Sequence, residues 1–232
     1  MATYVLVHGA WSGAHTWRKV RPMLRQAGHE VFTPSLTGLG ERVHLVSPQV
    51  NLNTHVQDVV NMLRFEDLSD VVLLGYSYGG MVVTGALRHI ASRVKHLVYL
   101  DAFVPGDGES LYSLTGQSLP EDFGQDWLQA PISREFDNPD EAAWAMARRV
   151  AQPRACFAEP VHAPQALEAY PFTRTYIKAT IPSRGEGGNS AFWDAADRAR
   201  ESGLWRYAEI ETNHMIANNK PEELTQLLLE LA

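Results

Sequence analysis

The hexapeptide Gly75-Tyr76-Ser77-Tyr78-Gly79-Gly80 joins an apolar run at 71–75 to a helical pattern in which Val83, Ala86, Leu87 and Ile90 share one face. A chain that passes from strand to helix within so few residues must turn sharply. Glycines on both sides of Ser77 let other backbone pass close to it. Ser77 then stands at a helix N-terminus, where unpaired N–H groups and the positive dipole end can stabilise an oxyanion. That is a setting for a serine nucleophile. The short match is weak alone, and the strand before it and helix after it give it weight.

Two further segments could complete an acyl-transfer site. Val7-His8-Gly9-Ala10-Trp11-Ser12-Gly13 ends the first apolar run as a glycine-rich loop. The N–H of Ala10 can act there as one oxyanion donor, with the N–H of Tyr78 as the other. His8 is expected to bond the loop backbone rather than to act as a base. Glu211-Thr212-Asn213-His214 lies between the last strand pattern and the last helix. Of the nine histidines, His214 has the chain order and context of a general base that takes the Ser77 proton and returns it to a leaving group. His15, His29, His44, His55, His89 and His96 are expected at the surface or in local hydrogen bonds, as is His162, though its segment could reach a substrate.

The acid that would orient the imidazole is less sharply marked. Asp101 ends the fourth strand pattern, where an unpaired carboxylate is costly and where open α/β sheets gather their sites. It is the preferred candidate. Glu186, the first carboxylate after the run 174–179, and Asp194 and Asp197 stay open.

These residues must be positioned by alternating elements. Strand patterns fall at 3–7, 30–33, 71–75, 94–100, 174–179 and 207–212, several of them apolar on both faces, as in sheets covered on both sides. Between them Val56, Val59, Val60 and Leu63 have helical spacing, with Thr54 and Gln57 as a capping box. Pro221 opens a last helix through Leu224, Leu227, Leu228 and Leu231, and Gly203 stops one that begins near Ser190. The expectation is an α/β fold, a doubly wound, mainly parallel, six-stranded sheet. Residues 105–171 break the rhythm and hold most of the thirteen prolines. They read as a cap inserted over the sheet edge, with 1–104 and 172–232 as the core. Within the cap Asn138-Pro139-Asp140-Glu141 starts a short helix, and Trp127, Phe136, Trp144 and Phe157 call for a surface to bury against.

Composition narrows the partners. The 232 residues carry a formal net charge of −7, against nucleic acid or an anionic membrane as main partner. The single cysteine, Cys156, allows no internal disulfide and is expected as a packed hydrophobe. The N-terminus lacks a basic region and a long apolar core, so a cytoplasmic protein is expected. No metal-ligand pair and no phosphate-binding loop appears, and no cofactor is expected.

Val5-Leu6-Val7-His8-Gly9-Ala10-Trp11, Gly75-Tyr76-Ser77-Tyr78-Gly79-Gly80-Met81 and Asn213-His214-Met215 resemble the α/β-hydrolase superfamily. Within it they resemble the compact branch of plant methylesterases, hydroxynitrile lyases and small bacterial carboxylesterases. The resemblance covers nearly the whole chain and implies a six-stranded sheet, a helical cap and a cofactor-free Ser-His-acid site. The branch's lyases carry a threonine where this chain has Gly9 and a lysine where it has Met215, which favours an esterase. Its methylesterases carry their acid after the next-to-last strand, unlike this chain. Haloalkane dehalogenases can place theirs at a position similar to Asp101, but with an aspartate nucleophile where Ser77 stands. The expectation is a serine hydrolase of carboxylic esters, acting through Ser77, His214 and Asp101 on a small aromatic or short-acyl ester, with Trp11, Phe103, Trp127 and Trp144 lining its pocket. The alternatives are a lyase or a slow-turnover ligand receptor on the same scaffold. A homodimer is left open.

Overall fold

The computed structural model describes residues 1–118, 123–182 and 191–232. Eight strands run β1 (Thr3–Val7), β2 (Glu30–Phe32), β3 (Val71–Tyr76), β4 (Val94–Leu100), β5 (Leu128–Gln129), β6 (Gln152–Pro153), β7 (Thr173–Ala179) and β8 (Arg206–Ile210). The helices are α1 (Val20–Gln26), α2 (Leu52–Phe65), α3 (Gly79–Ile90), α4 (Leu111–Leu114), α5 (Pro139–Met146), α6 (Ala155–Ala158), α7 (Ala191–Glu201), α8 (Ile216–Asn219) and α9 (Pro221–Leu229). Six strands form one sheet in the order β2-β1-β3-β4-β7-β8, and every neighbouring pair is parallel. All carboxyl ends therefore lie along one edge of the sheet.

Alternate strand residues feed two cores. Val5, Val7, Leu73, Leu97 and Tyr99 pack with α2, α3 and α7, while Tyr4, Leu6, Val72, Leu74, Val98 and Leu100 pack with α1 and α9. β3 is buried along its whole length, which is why it reads as a continuous apolar run.

The six sheet strands fall within one or two residues of the sequence patterns. One local expectation is corrected. The capping box of α2 is Asn51 with Thr54, not Thr54 with Gln57. Asn51 is extended at φ −136° and its side chain accepts the Thr54 N–H, so the helix starts a turn earlier than the apolar periodicity alone suggests. α5 is capped by Asn138 with Pro139 in its first turn, and α9 begins at Pro221. Gly203 has φ +65° just beyond α7. The expected start of that helix at Ser190 lies outside the described residues.

The segment 105–171 connects β4 to β7, which are neighbours in the sheet. It contains the β5–β6 antiparallel pair, which the sequence reading does not anticipate. Gln152 accepts the Trp11 N–H at 2.9 Å, the Gln129 carbonyl accepts the Trp11 indole N–H at 3.0 Å, and Val150 N–H donates to the Trp11 carbonyl at 3.0 Å. A second anchor is Glu141 of α5, buried against Arg18, Lys19 and Asn218. Burial opposes its charge, but Asn218, Lys19 and Arg18 outweigh burial and hold the carboxyl below the usual range. No helix among the described residues is long and apolar enough to cross a membrane.

Two histidines beneath the site are structural. His8 Nε2 accepts the Leu36 N–H at 3.1 Å, which leaves Nδ1–H to donate to the Gly9 carbonyl at 2.8 Å. His55 bridges the Thr37 carbonyl and the Tyr78 hydroxyl, both at 2.9 Å. Burial lowers His8 to about 3 and His55 to about 4. The unfolded chain binds these protons more readily, so their neutrality contributes stability that is full above the ordinary histidine range and is lost as pH falls toward the folded values. Each should cost about 2 kcal/mol between about pH 7 and about pH 5. In urea titrations over that interval, His55→Gln is expected to reduce the pH slope of unfolding free energy by about one proton. An unchanged slope would contradict this account.

Candidate active site

The turn after β3 gives Ser77 a φ of +56°, a left-handed conformation that non-glycine residues hold only when the surroundings impose it. Of five such residues in the described chain, Trp11, Ser77 and Asp101 (φ +60°, +56° and +40°) belong to this site. The surroundings are tight. A Cβ at Gly75 would lie 2.6 Å from the Gly79 carbonyl oxygen, and one at Gly80 would lie 2.0 Å from the Phe103 carbonyl oxygen. Only glycine lets α3 begin this close to the loop after β4. That loop is tied to the turn by Ser77 N–H to the Leu100 carbonyl (3.2 Å) and Phe103 N–H to the Ser77 carbonyl (3.3 Å).

Ser77, Asp101 and His214 come together from the ends of β3, β4 and β8. His214 Nε2 lies 3.0 Å from Ser77 Oγ, and Nδ1 lies 2.6 Å from Asp101 Oδ2. All three are buried, with Ser77 8% exposed. The other Asp101 oxygen accepts the Ala179 N–H from the end of β7 at 3.3 Å. That strand thus supplies a backbone donor at the place where a carboxylate was looked for. Asp194 is exposed and Asp197 pairs with Arg200 at 2.8 Å. Glu186 lies outside the described residues.

Several side chains that the sequence did not single out hold this arrangement. The imidazole of His214 lies between two aromatic rings. Phe192 stacks at 4.9 Å with planes 10° apart, and Tyr76 lies at 5.0 Å with a 30° tilt. The Tyr76 hydroxyl donates to the His214 carbonyl. Negative ring faces on both sides favour an imidazole that becomes cationic. The Tyr176 hydroxyl accepts the Ala102 N–H at 3.0 Å and lies 2.9 Å from the Phe192 carbonyl, fixing α7 against the loop that carries Asp101. Only the strand periodicity touches Tyr176 in the sequence, and nothing there marks its hydroxyl.

The N–H groups of Ala10 and Tyr78 face no protein acceptor among the described residues. They stand on the loop after β1 and at the start of α3, beside Ser77. The surrounding cleft has two lobes that meet at Ala10, Trp11, Ser77 and Arg134. The wider one, about 450 Å³, is lined by Tyr78, Phe103, Leu111, Leu114, Ile132 and Phe192. The narrower one passes His15, Trp144, Arg149, His214 and Asn218. Trp11, Phe103 and Trp144 therefore line the cleft. Trp127 lines neither lobe; it sits just before β5, its carbonyl engaged by Arg154 N–H. His162 lines a separate groove with Leu52 and Arg88. Cys156 is buried, and burial raises its thiol to about 12, which leaves it a packed, unreactive group.

A sequence model of the alpha/beta hydrolase family matches residues 4–227, and the chain belongs to that family. It is 42% identical to the "carbendazim hydrolyzing esterase" of Nocardioides sp. (strain SG-4G) over 100% of both chains. It is 31% identical to the alpha-hydroxynitrile lyase of Arabidopsis thaliana, over 44% of this chain and 40% of that one. An extracellular alpha/beta-hydrolase from a Paenibacillus species superposes with a TM-score of 0.83 at 22% identity, covering 99% of this chain and 98% of that chain; at this identity the likeness concerns the fold. The chain is an enzyme, a hydrolase of the carboxylesterase type.

The close approach at Gly80 has a direct consequence. Gly80→Ala is expected to push the loop after β4 away and to cost about 1–3 kcal/mol through overpacking. Labelling by a serine-directed phosphonate should slow at least tenfold (~10×) as Asp101 and Ser77 lose register. Wild-type stability together with wild-type labelling would show that the approach is not required.

Proposed function

We propose that this enzyme is a serine esterase in which Ser77 is the nucleophile, His214 the general base and acid, and Asp101 the group that orients His214. The observation that carries the proposal is the unbroken chain from Ser77 Oγ through both imidazole nitrogens to Asp101, at 3.0 and 2.6 Å. As Ser77 Oγ attacks the ester carbonyl, its proton passes to Nε2. The imidazolium that forms is stabilised by Asp101 and by the faces of Tyr76 and Phe192. The oxyanion is held by the N–H groups of Ala10 and Tyr78. Nε2–H then protonates the departing alkoxide, leaving an acyl group on Ser77. Water, deprotonated by the same nitrogen, attacks that acyl group and releases the acid and free Ser77 Oγ–H.

The substrate we infer is a small aromatic or short-acyl ester, bound in the cleft lined by Trp11, Phe103 and Trp144 under a cap formed by residues 105–171. The wider lobe has more apolar than polar lining and, at about 450 Å³, room for an aromatic ring system or a short acyl chain. The Nocardioides relative acts on carbendazim, a methyl carbamate of an aromatic bicycle, and that compound belongs among the first to assay. The proposal includes a cytoplasmic location and a small-molecule ester as partner, with neither nucleic acid nor membrane.

The test uses purified protein with chromogenic short-chain aryl esters and carbendazim. Ester turnover is expected, abolished by a serine-directed phosphonate and by Ser77→Ala. Asp101→Asn should lower kcat by about 10⁴-fold, since the wrong imidazole tautomer is then favoured. Cyanohydrin cleavage exceeding ester cleavage would replace the reading with a lyase. Tight ligand binding without turnover would replace it with a receptor, and full activity in Asp101→Asn would remove Asp101 from its role.

A further inference from the structure

The narrow lobe of the cleft, which Trp144 lines, opens onto the same Ser77 and His214, and the ester chemistry above does not account for its charge. Its free space is small beside that of the wider lobe, about 30 against about 450 Å³, which suits a small head group better than a ring. Arg134 and Arg149 enter it, and no aspartate or glutamate is among its lining residues. That is not forced by composition, since the chain has 27 acidic residues against 20 basic ones.

Arg149 is the unusual member. Arg18, Arg42, Arg93, Arg154 and Arg200 each pair with a carboxylate. Among the described residues Arg149 pairs with none; its buried Nε, like those of Arg18 and Arg174, finds no acceptor, but the other nitrogens of those two are bonded. Its guanidinium lies 5.6 Å from the centre of the Trp11 ring, on the residue that separates the two lobes. Burial, with Arg134 nearby, lowers it to about 10, so it stays cationic at neutral pH. A desolvated cation is costly unless a partner satisfies it. A guanidinium fork fits a carboxylate through two parallel hydrogen bonds.

Building on the esterase function proposed above, we propose that Arg149 is a specificity-determining residue that binds an anionic group of the substrate. The preferred esters carry a carboxylate a few bonds from the scissile carbonyl, as the half-esters of short dicarboxylic acids do. Hydrolysis of such a half-ester takes up one water and releases the diacid and the alcohol. The carboxylate sits in the narrow lobe while the carbonyl carbon meets Ser77 Oγ.

The test compares monomethyl glutarate with dimethyl glutarate, by kcat/KM at low and high salt, in wild type, Arg149→Gln and Arg149→Lys. Wild type should favour the half-ester, less so at high salt. Arg149→Gln should lower the half-ester to diester ratio at least ~10-fold, a charge-assisted bidentate contact being lost. Arg149→Lys should restore part of it. A second arm is independent of turnover. Glutarate binding is measured by calorimetry on Ser77→Ala, with and without Arg149→Gln, and should be lost in the double variant. An unchanged ratio in Arg149→Gln, or glutarate binding that is absent or indifferent to residue 149, would overturn the assignment. Failure of wild type to cleave either ester would count against the esterase reading instead, and glutarate binding would still decide the role of Arg149.

Discussion

An imidazole can relay a proton only while its two nitrogens face different partners in the right order. For His214 those partners are 137 and 113 residues away in sequence. They meet because all six sheet strands are parallel, which puts the loops that follow them on one edge. β8 is separated from β4 by β7, so the loop bearing His214 must cross the end of β7. The Ala179 N–H at that end fills the second lone-pair site of Asp101. The carboxylate is thus held from both sides, and the geometry of the Ser77–His214–Asp101 hydrogen-bond chain follows from sheet order.

The edge is strained, and the sheet beneath it sustains the strain. Left-handed conformations at Trp11, Ser77 and Asp101 each cost on the order of 1–3 kcal/mol for non-glycine residues. They persist because both neighbouring segments are fixed. β3 and most of β4 are buried on both faces, and the N-terminus of α3 is pressed onto the loop after β4 with no room for a side chain at Gly80. A packed interior does not deform continuously, so Ser77 Oγ has one place to stand.

Two parts of the chain meet at this edge. Ser77, Asp101 and His214 stand at the ends of sheet strands, while many of the residues shaping the cleft around them come from the segment between β4 and β7. That segment is clamped at Trp11 by Gln152, Gln129 and Val150, and at Glu141 by Arg18, Lys19 and Asn218. Trp11 is therefore both part of the loop after β1 and a wall shared by the two lobes of the cleft.

Much of this was legible along the chain. The apolar runs located the six sheet strands, and the strand–turn–helix context singled out Ser77. Chain order singled out His214, and the cost of burying an unpaired carboxylate pointed to Asp101. Those inferences rest on local periodicity and on residue chemistry, both of which are properties of the sequence. The rings against His214, the hydroxyl of Tyr176 and the placing of Arg149 beside Trp11 depended on which distant surfaces meet. Side-chain neighbours across a sheet edge are set by the packing of whole elements, and no short-range pattern encodes them.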